Sequence, residues 1–167
     1  LLFACDRRRR PAHARALALH HAHDHARRSR LAAGWLHLLA ELGLGACLAD
    51  DMGLGKTVQV LAALLCRRHG PRAEQLPPAL LVVPASLLGN WKNESNRFTP
   101  ALRFTVLHAS EMAPETLDAL GDQEVEERFG DTDVVMTTYG MITRLEWLET
   151  HEWDMLILDE AQAIKNP

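Results

Sequence analysis

The sequence predicts an α/β fold in which helices cover both faces of a parallel sheet. Short apolar runs alternate along the chain with segments of helical periodicity, an order typical of parallel sheets. A glycine-rich turn follows the first apolar run, and two adjacent carboxylates follow the last one. Because ligands of such sheets bind at the carboxyl ends of the strands, we expect both features at one functional edge.

Five strands are predicted, each from an apolar run bounded by polar or turn-forming residues. They are residues 46–49, 80–83, 104–107, 134–138 and 155–158. Right-handed crossovers are expected between parallel neighbours. The chain stops soon after the fifth run, so the sheet is expected to be truncated there.

Helices are predicted between these strands and before the first of them. They cover residues 31–42, 58–68, 86–97, a stretch from 114 to about 120, and 141–148. Gly43 is the expected end of the first helix. Ser86 has the side chain of a helix N-cap, and Pro114 suits a first helical position.

The composition is that of an ordinary globular domain. The chain has 167 residues, of which 47% are hydrophobic and 24% charged, and its net charge is −4. Three cysteines without C-x-x-C spacing suggest neither a disulfide framework nor a zinc site, and a reducing cytoplasm fits them. No apolar run is long enough to span a bilayer. The first residue is Leu1 and the last is Pro167, so we interpret the chain as part of a longer protein.

Residues 1–30 differ from the rest, because they show no periodicity and hold eight arginines against two acids. We predict that this segment is disordered or non-native, and that the folded unit covers residues 31–167. Its composition is also typical of an out-of-frame translation of GC-rich DNA. A basic arm, with Arg7 to Arg10 on phosphates, is an alternative. A metal cluster of His21, His23 and His25 is another, although no cysteine or carboxylate spacing typical of a metal site accompanies it.

The glycine-rich turn predicts a nucleotide-binding loop. Its glycines let backbone N–H groups point at an anion, and the following helix presents its positive end. Lys56 is expected on the β- and γ-phosphates and Thr57 on Mg²⁺. The strict phosphate-loop pattern has glycine where this chain has Asp50. The residues expected to bind the nucleotide here are Asp51, Met52, Gly53, Leu54, Gly55, Lys56 and Thr57.

The paired carboxylates Asp159 and Glu160 predict the catalytic part of the same site. An aspartate at the end of a buried strand can hold Mg²⁺, and a neighbouring glutamate can deprotonate the attacking water. A solvated acidic turn would explain the pair in isolation. The upstream phosphate loop makes the catalytic interpretation the better one.

Four blocks occur in a fixed order along the chain, and together they resemble the first motor lobe of the Swi/Snf ATPases of helicase superfamily 2. The blocks are LADDMGLGKTVQ, LLVVPASLLGNWKNE, VVMTTYG and LILDEAQAIKNP, the last being similar to bacterial members. The resemblance covers about residues 31–167. It implies a RecA-like phosphate-loop lobe of an enzyme that hydrolyses ATP with Mg²⁺ and translocates on double-stranded DNA.

The same resemblance implies roles for single residues. Lys56, Asp159 and Glu160 would be catalytic, and Gln162 would couple the nucleotide to a second motor lobe that this chain lacks. Contacts to the DNA backbone are implied for Ser86, Thr138 and Tyr139. Ser86 as a simple cap, and residues 137–140 as an ordinary β-turn, explain those residues equally well. Trp91 is interpreted as packing for its helix rather than as a platform for base stacking.

One position departs from the family pattern. The glutamine that reads adenine in the family is replaced by Ser29, which leaves adenine selectivity open. Two other functions stay open as well: a non-catalytic nucleotide- or DNA-docking lobe, and part of an RNA helicase. A bacterial enzyme in the cytoplasm, associated with the nucleoid, is the expected setting. The remodelled protein target is unknown from sequence.

Overall fold

The computed structural model describes residues 2–5, 31, 33–36, 38–40, 42–48, 55–70, 76–120 and 129–163. Several predictions concern residues outside these ranges. They are the loop residues Asp51, Met52, Gly53 and Leu54, the substitution at Ser29, and the arginine and histidine clusters between residues 7 and 25.

Six strands form one sheet in the order β2-β1-β6-β3-β5-β4. The strands are β1 Leu2–Cys5, β2 Ala46–Cys47, β3 Ala79–Val83, β4 Phe104–Leu107, β5 Val134–Thr138 and β6 Met155–Leu158. The neighbours β6, β3, β5 and β4 are all parallel. The predicted parallel sheet is therefore confirmed, and the bounds of its last three strands are those predicted.

The strand β1 was not predicted. Leu2–Cys5 lies between β2 and β6 and pairs antiparallel with both, so the prediction of disorder for residues 1–30 is wrong for these four residues. The reason is local, because Leu, Phe, Ala and Cys form an apolar run of the kind that enters a buried sheet. Since β2 and β6 both oppose β1, they run in the same direction as each other.

Helices pack around this sheet. They are α1 Lys56–Arg68, α2 Leu88–Phe98, α3 Pro114–Ala119, α4 Tyr139–Ile142 and α5 Trp147–Thr150, with 3₁₀ turns at Ala85–Leu87 and Ala161–Ala163. None of the helices in the described part of the chain is long and apolar enough to cross a membrane.

Two helix predictions need correction. The segment 141–148 forms two short helices, α4 and α5, instead of one. Ser86 is not a helix N-cap, because it lies inside the 3₁₀ turn and its side chain makes no capping hydrogen bond. Pro114, by contrast, opens α3 as predicted.

The helix before β2 ends as its sequence predicts. Residues 33–36 and 38–40 are helical, and Gly43 follows with a φ of 67°. The N–H of Gly43 donates to the carbonyl of Ala40, and the N–H of Leu44 donates to the carbonyl of Leu39. This pair of bonds is the Schellman ending, which requires a left-handed residue and so favours glycine.

Two apolar cores lie on opposite faces of the sheet. Alternate residues of β3 enter different cores: Leu81 and Val83 pack with α1 and α2, whereas Leu80 and Val82 pack with α3 to α5. This period of two places helices on both faces, as the all-apolar strands predict.

Buried ion pairs connect the residues that precede β5 and β6 to the carboxyl end of α1. Arg67 donates two hydrogen bonds to the carboxylate of Asp154, and both side chains are at least nine-tenths buried. Arg68 lies 3.6 Å from the carboxylate of Asp133 and also donates to the carbonyl oxygens of Leu76, Pro77 and Asp133. Burial lowers the pKa of Arg68, and the two acids oppose that shift. These contacts lie at the sheet edge opposite the carboxyl ends of the strands.

Candidate nucleotide-binding site

The carboxyl ends of the strands bring the predicted site segments to one edge. Cys47 of β2 and Leu158 of β6 both stand opposite Leu2 of β1. Two strand spacings place their backbones about 10 Å apart. The phosphate-loop segment after β2 and the carboxylates after β6 therefore leave the sheet at the same level.

The start of α1 supplies the described part of the phosphate loop. Gly55 has a φ of 75°, a left-handed conformation that strains any side chain-bearing residue. Lys56 and Thr57 follow as the first residues of a helix of 13 residues. No acidic residue stands in its first turn, and no described side chain caps it. Its amide groups and positive end suit an anion, which agrees with the predicted phosphate contact.

Asp159 is held from several directions at the end of β6. Its backbone N–H donates to the carbonyl of Val82 on β3 at 2.8 Å. Its Oδ1 accepts the N–H of Glu160 at 3.0 Å, and its Oδ2 accepts the indole N–H of Trp91 at 2.7 Å. Asp159 is 9% exposed. A carboxylate with both oxygens partly satisfied is thus fixed at the site edge, with lone pairs remaining for a further partner.

Glu160 has the one positive φ, 49°, among the non-glycine residues that the structure describes. The amide of Gln162 donates a hydrogen bond to its Oε2. Gln162 is exposed, in the 3₁₀ turn that follows. Glu160 and Gln162 therefore lie side by side next to Asp159, and their predicted roles as base and as coupling residue stay predictions.

Tyr139 lies beside the same carboxylate. Its hydroxyl donates to the backbone carbonyl of Asp159 at 2.7 Å. Burial, with the charges of Asp159 and Glu160, raises the pKa of Tyr139 to about 12. The hydroxyl therefore stays protonated at neutral pH and acts as a donor. Its predicted contact with nucleic acid stays a prediction, since the hydroxyl already has an internal partner.

The other residues predicted to contact DNA lie on the same edge with different exposure. Ser86 is exposed in the 3₁₀ turn after β3. Thr138 stands opposite Val83 in the sheet and is only 5% exposed, and its contact with DNA stays a prediction. Trp91 is 2% exposed, which confirms packing and excludes a base-stacking platform.

The donors at this edge fit Mg²⁺ and a nucleotide. Carboxylate and hydroxyl oxygens from Asp159 and Thr57 are the hard ligands that Mg²⁺ takes in proteins, together with water and phosphate oxygens. A lysine ammonium and helix amides fit phosphate. Within the described part of the chain, no group of three or more His, Cys, Asp or Glu side chains forms a preassembled metal cage. That sparse donor set fits a cation which keeps several waters.

Sequence reasoning missed the contacts that hold Asp159. The bonds from Trp91 and Tyr139 join residues 68 and 20 positions apart in the chain. The parallel arrangement of the strands could have indicated these contacts. β3 lies between β5 and β6, so the residues that follow these three strands meet at one edge of the sheet.

Comparisons with known proteins indicate a single family. A profile of the family described as SNF2-related domain matches residues 29–167. YwqA of Bacillus subtilis, named as an ATP-dependent helicase/translocase, is 43% identical over 133 residues, which cover 79% of this chain and 13% of that protein. The ISWI chromatin-remodeling complex ATPase ISW2 of Saccharomyces cerevisiae is 38% identical over 133 residues, which cover 79% of this chain and 11% of that protein.

A solved structure agrees with these relatives. It is the Sulfolobus solfataricus SWI2/SNF2 ATPase core in complex with double-stranded DNA, which is 37% identical with a TM-score of 0.65. The match covers 84% of this chain and 26% of the other. The chain thus spans a small part of each relative.

Proposed function

Because the chain belongs to the family described as SNF2-related domain, we propose that it is the ATP-binding half of an ATP-dependent translocase on double-stranded DNA. The observation that carries this proposal is the shared edge: β2, which leads along the chain to Lys56 and Thr57, and β6, which leads to Asp159 and Glu160, end at the same level of the sheet. Phosphate-binding groups and a carboxylate pair on one edge are what nucleotide hydrolysis needs.

Each residue has a distinct task in this chemistry. Lys56 and the amides at the start of α1 bind and orient the phosphates. Asp159 and Thr57 would hold Mg²⁺, which when bound neutralises charge on the phosphate oxygens. Glu160 orients the attacking water and accepts its proton. Gln162, hydrogen-bonded to Glu160, is placed to sense the state of that carboxylate.

Double-stranded DNA is the polymer on which we propose that the enzyme translocates. The Sulfolobus ATPase core is described in complex with double-stranded DNA. The exposed Ser86 and the segment from Thr138 to Tyr139 lie at the same edge of β3 and β5, and we assign both to the DNA backbone. Small donors and backbone amides suit phosphate oxygens and carry no base specificity, as a translocase requires.

A second lobe would complete the motor. Each of the five described arginines contacts a neighbour in this chain: Arg67 contacts Asp154, Arg68 and Arg103 contact Asp133, Arg144 contacts Asp118, and Arg97 stacks over Phe98. An arginine across the cleft accelerates related hydrolases by about 10³- to 10⁵-fold. We therefore propose that this residue comes from a second lobe. We also propose that the enzyme works in the bacterial cytoplasm, associated with the nucleoid.

The nucleotide assignment is tested by Lys56→Ala in the whole protein, with ATP affinity measured by calorimetry. Loss of a charged phosphate contact of about 1.5–3 kcal/mol corresponds to a ten- to hundredfold weaker affinity. Lys92→Ala is the control, because Lys92 is an exposed lysine that pairs with Glu111 at 2.8 Å. An unchanged affinity in Lys56→Ala would overturn the assignment.

The DNA assignment is tested by ATP turnover with duplex DNA, duplex RNA or no nucleic acid. We expect stimulation by duplex DNA, and stimulation by RNA alone would favour an RNA helicase. Nucleotide binding without turnover under any of these conditions would favour a docking lobe. Turnover by the 167-residue chain alone, stimulated by DNA, would contradict the need for a second lobe.

A further inference from the structure

A buried indole N–H reaches the carboxylate that ends β6. Nε1 of Trp91 donates to Oδ2 of Asp159 at 2.7 Å, and Trp91 is 2% exposed. Trp91 lies on α2, one turn after the 3₁₀ turn that carries Ser86. The bond therefore crosses from the helix after β3 to the carboxylate after β6.

The donor has the right chemistry for a carboxylate that must also bind a cation. Indole N–H is a neutral, donor-only group, so it orients the carboxylate without adding positive charge. A lysine or arginine at the same place would compete with Mg²⁺ for Asp159. The second oxygen of Asp159 accepts the Glu160 N–H at 3.0 Å, so each oxygen has one protein donor.

The packing of Trp91 makes its N–H a fixed reference point. Its ring belongs to the core that includes Leu61 and Leu64 of α1, the helix that begins with Lys56 and Thr57. Because the indole shares a core with α1 and bonds to Asp159, it can set the carboxylate relative to the phosphate-binding helix. Metal ligands depend on such partners for orientation, and losing one costs about 10- to 100-fold in metal affinity or activity.

We propose that Trp91 is a positioning residue for the Mg²⁺–nucleotide site and that its indole N–H fixes the carboxylate of Asp159 through Oδ2. This inference rests on the proposed function, because it takes Asp159 as the Mg²⁺ ligand. It assigns Trp91, a residue in the block expected to touch DNA, to the nucleotide site. Its role is orientation, and the residue is not itself catalytic.

The test is the Mg²⁺ dependence of ATP binding in the whole protein, measured with Trp91→Phe. Phenylalanine keeps an aromatic ring in the core and removes the donor. We expect the Mg²⁺ concentration for half-maximal ATP affinity to rise at least about tenfold. ATP affinity in EDTA should stay unchanged. A general loss of packing would instead weaken ATP binding in EDTA as well.

Trp153→Phe is the matched control, because the half-buried Trp153 packs against the core on the other face and also donates its indole N–H, to the carbonyl of Leu148 at 2.8 Å. It should leave the Mg²⁺ dependence unchanged. If Trp91→Phe does not fold, benzothienylalanine at position 91 keeps the shape of the indole and replaces the N–H by sulfur.

Asp159→Asn separates failure of this inference from failure of the proposed function. If Asp159→Asn leaves the Mg²⁺ dependence unchanged, the Mg²⁺ assignment itself is wrong. If Asp159→Asn shifts the Mg²⁺ dependence but Trp91→Phe and the sulfur analogue do not, Trp91 only packs and the inference is overturned. An equal effect of Trp153→Phe and Trp91→Phe would also overturn it.

Discussion

Glu160 is held in a backbone conformation that glutamate does not favour. Its φ of 49° lies in the left-handed region, which costs about 1–2 kcal/mol for a residue with a Cβ. The conformation is stabilised by its N–H bond to Asp159 and by the Gln162 amide on its carboxylate. Strain of this kind concentrates at functional sites, where surrounding contacts maintain it. The backbone of Glu160 therefore supports the role that its position after β6 suggests.

Replacing Glu160 by glutamine is expected to separate binding from turnover. Glu160→Gln keeps the shape of the side chain but removes the base, so the whole protein should bind ATP normally and hydrolyse it about a hundredfold more slowly or worse. Single-turnover hydrolysis and calorimetric ATP affinity check the two parts. Glu149→Gln, at an exposed position of α5, is the control. Comparable hydrolysis by Glu160→Gln and wild type would show that Glu160 is not the base.

At the scale of elements, the parallel strands could be predicted because each is a continuous apolar run. The bounds of β4, β5 and β6 follow from Phe104–Leu107, Val134–Thr138 and Met155–Leu158 alone. Such runs are long enough for strands and too short for buried helices.

The elements that sequence reasoning missed depend on contacts across the chain. β1 is a strand because it pairs with β2 and β6, whereas the arginine-rich residues that follow it dominate the composition of residues 1–30. The break between α4 and α5 falls where the carbonyl of Met141 accepts from Leu145, and Leu145 and Leu148 enter the core. The Asp159 contacts were hidden for the same reason, since no local pattern shows which helix faces which strand end.

Gly89 is a glycine that the fold does not require. It is the second residue of α2, it is exposed, and a Cβ added there would have no neighbour within 4 Å. Alanine at such a helical position is more stable than glycine by about 0.4–1 kcal/mol. We expect Gly89→Ala to raise the free energy of unfolding by up to that amount, measured by urea denaturation without nucleotide.

Gly55 is the matched comparison for Gly89. A Cβ at Gly55 would also have no neighbour within 4 Å, but its φ is 75°. Gly55→Ala should therefore destabilise the protein by more than Gly89→Ala stabilises it, because a positive φ strains alanine and the helical backbone at Gly89 does not. Equal shifts of the same sign would contradict this explanation.

For the whole molecule, stability and chemistry lie at opposite edges of one sheet. The carboxyl ends of β3, β5 and β6 carry Pro84, Tyr139 and Asp159, where the proposed contacts to nucleotide and DNA gather. The amino ends carry the buried acids Asp133 and Asp154, which bind the arginines at the end of α1. Because α1 begins at the proposed phosphate site and ends at these acids, it connects the two edges. Changes at the amino edge should therefore alter stability far more than the local chemistry of the site.

Asp133 makes this separation measurable through pH. Burial acts to raise the pKa of Asp133, but hydrogen bonds from Arg103 and the charges of Arg103 and Arg68 outweigh it, so the pKa lies below its ordinary value of 3.8. When the pKa of an acid is lower in the folded state than in the unfolded state, its charge stabilises the fold at pH values above the unfolded pKa. This stabilisation is lost as the pH falls to the folded pKa. Asp133→Asn removes the titrating group while keeping the shape of the side chain.

We therefore expect Asp133→Asn to lower the free energy of unfolding by about 1–3 kcal/mol at pH 7, the size of a hydrogen bond to a charged group. The difference from wild type should shrink as the pH falls below about 4, because the unfolded chain then takes up a proton on this carboxylate that folded Asp133 binds only at lower pH. Urea denaturation between pH 7 and pH 3 measures both. Asp118→Asn is the control, because Asp118 is an exposed aspartate that pairs with Arg144 and such surface pairs contribute about 0–1 kcal/mol. A difference for Asp133→Asn that stays constant down to pH 3 would show that its carboxylate does not stabilise the amino edge by its charge.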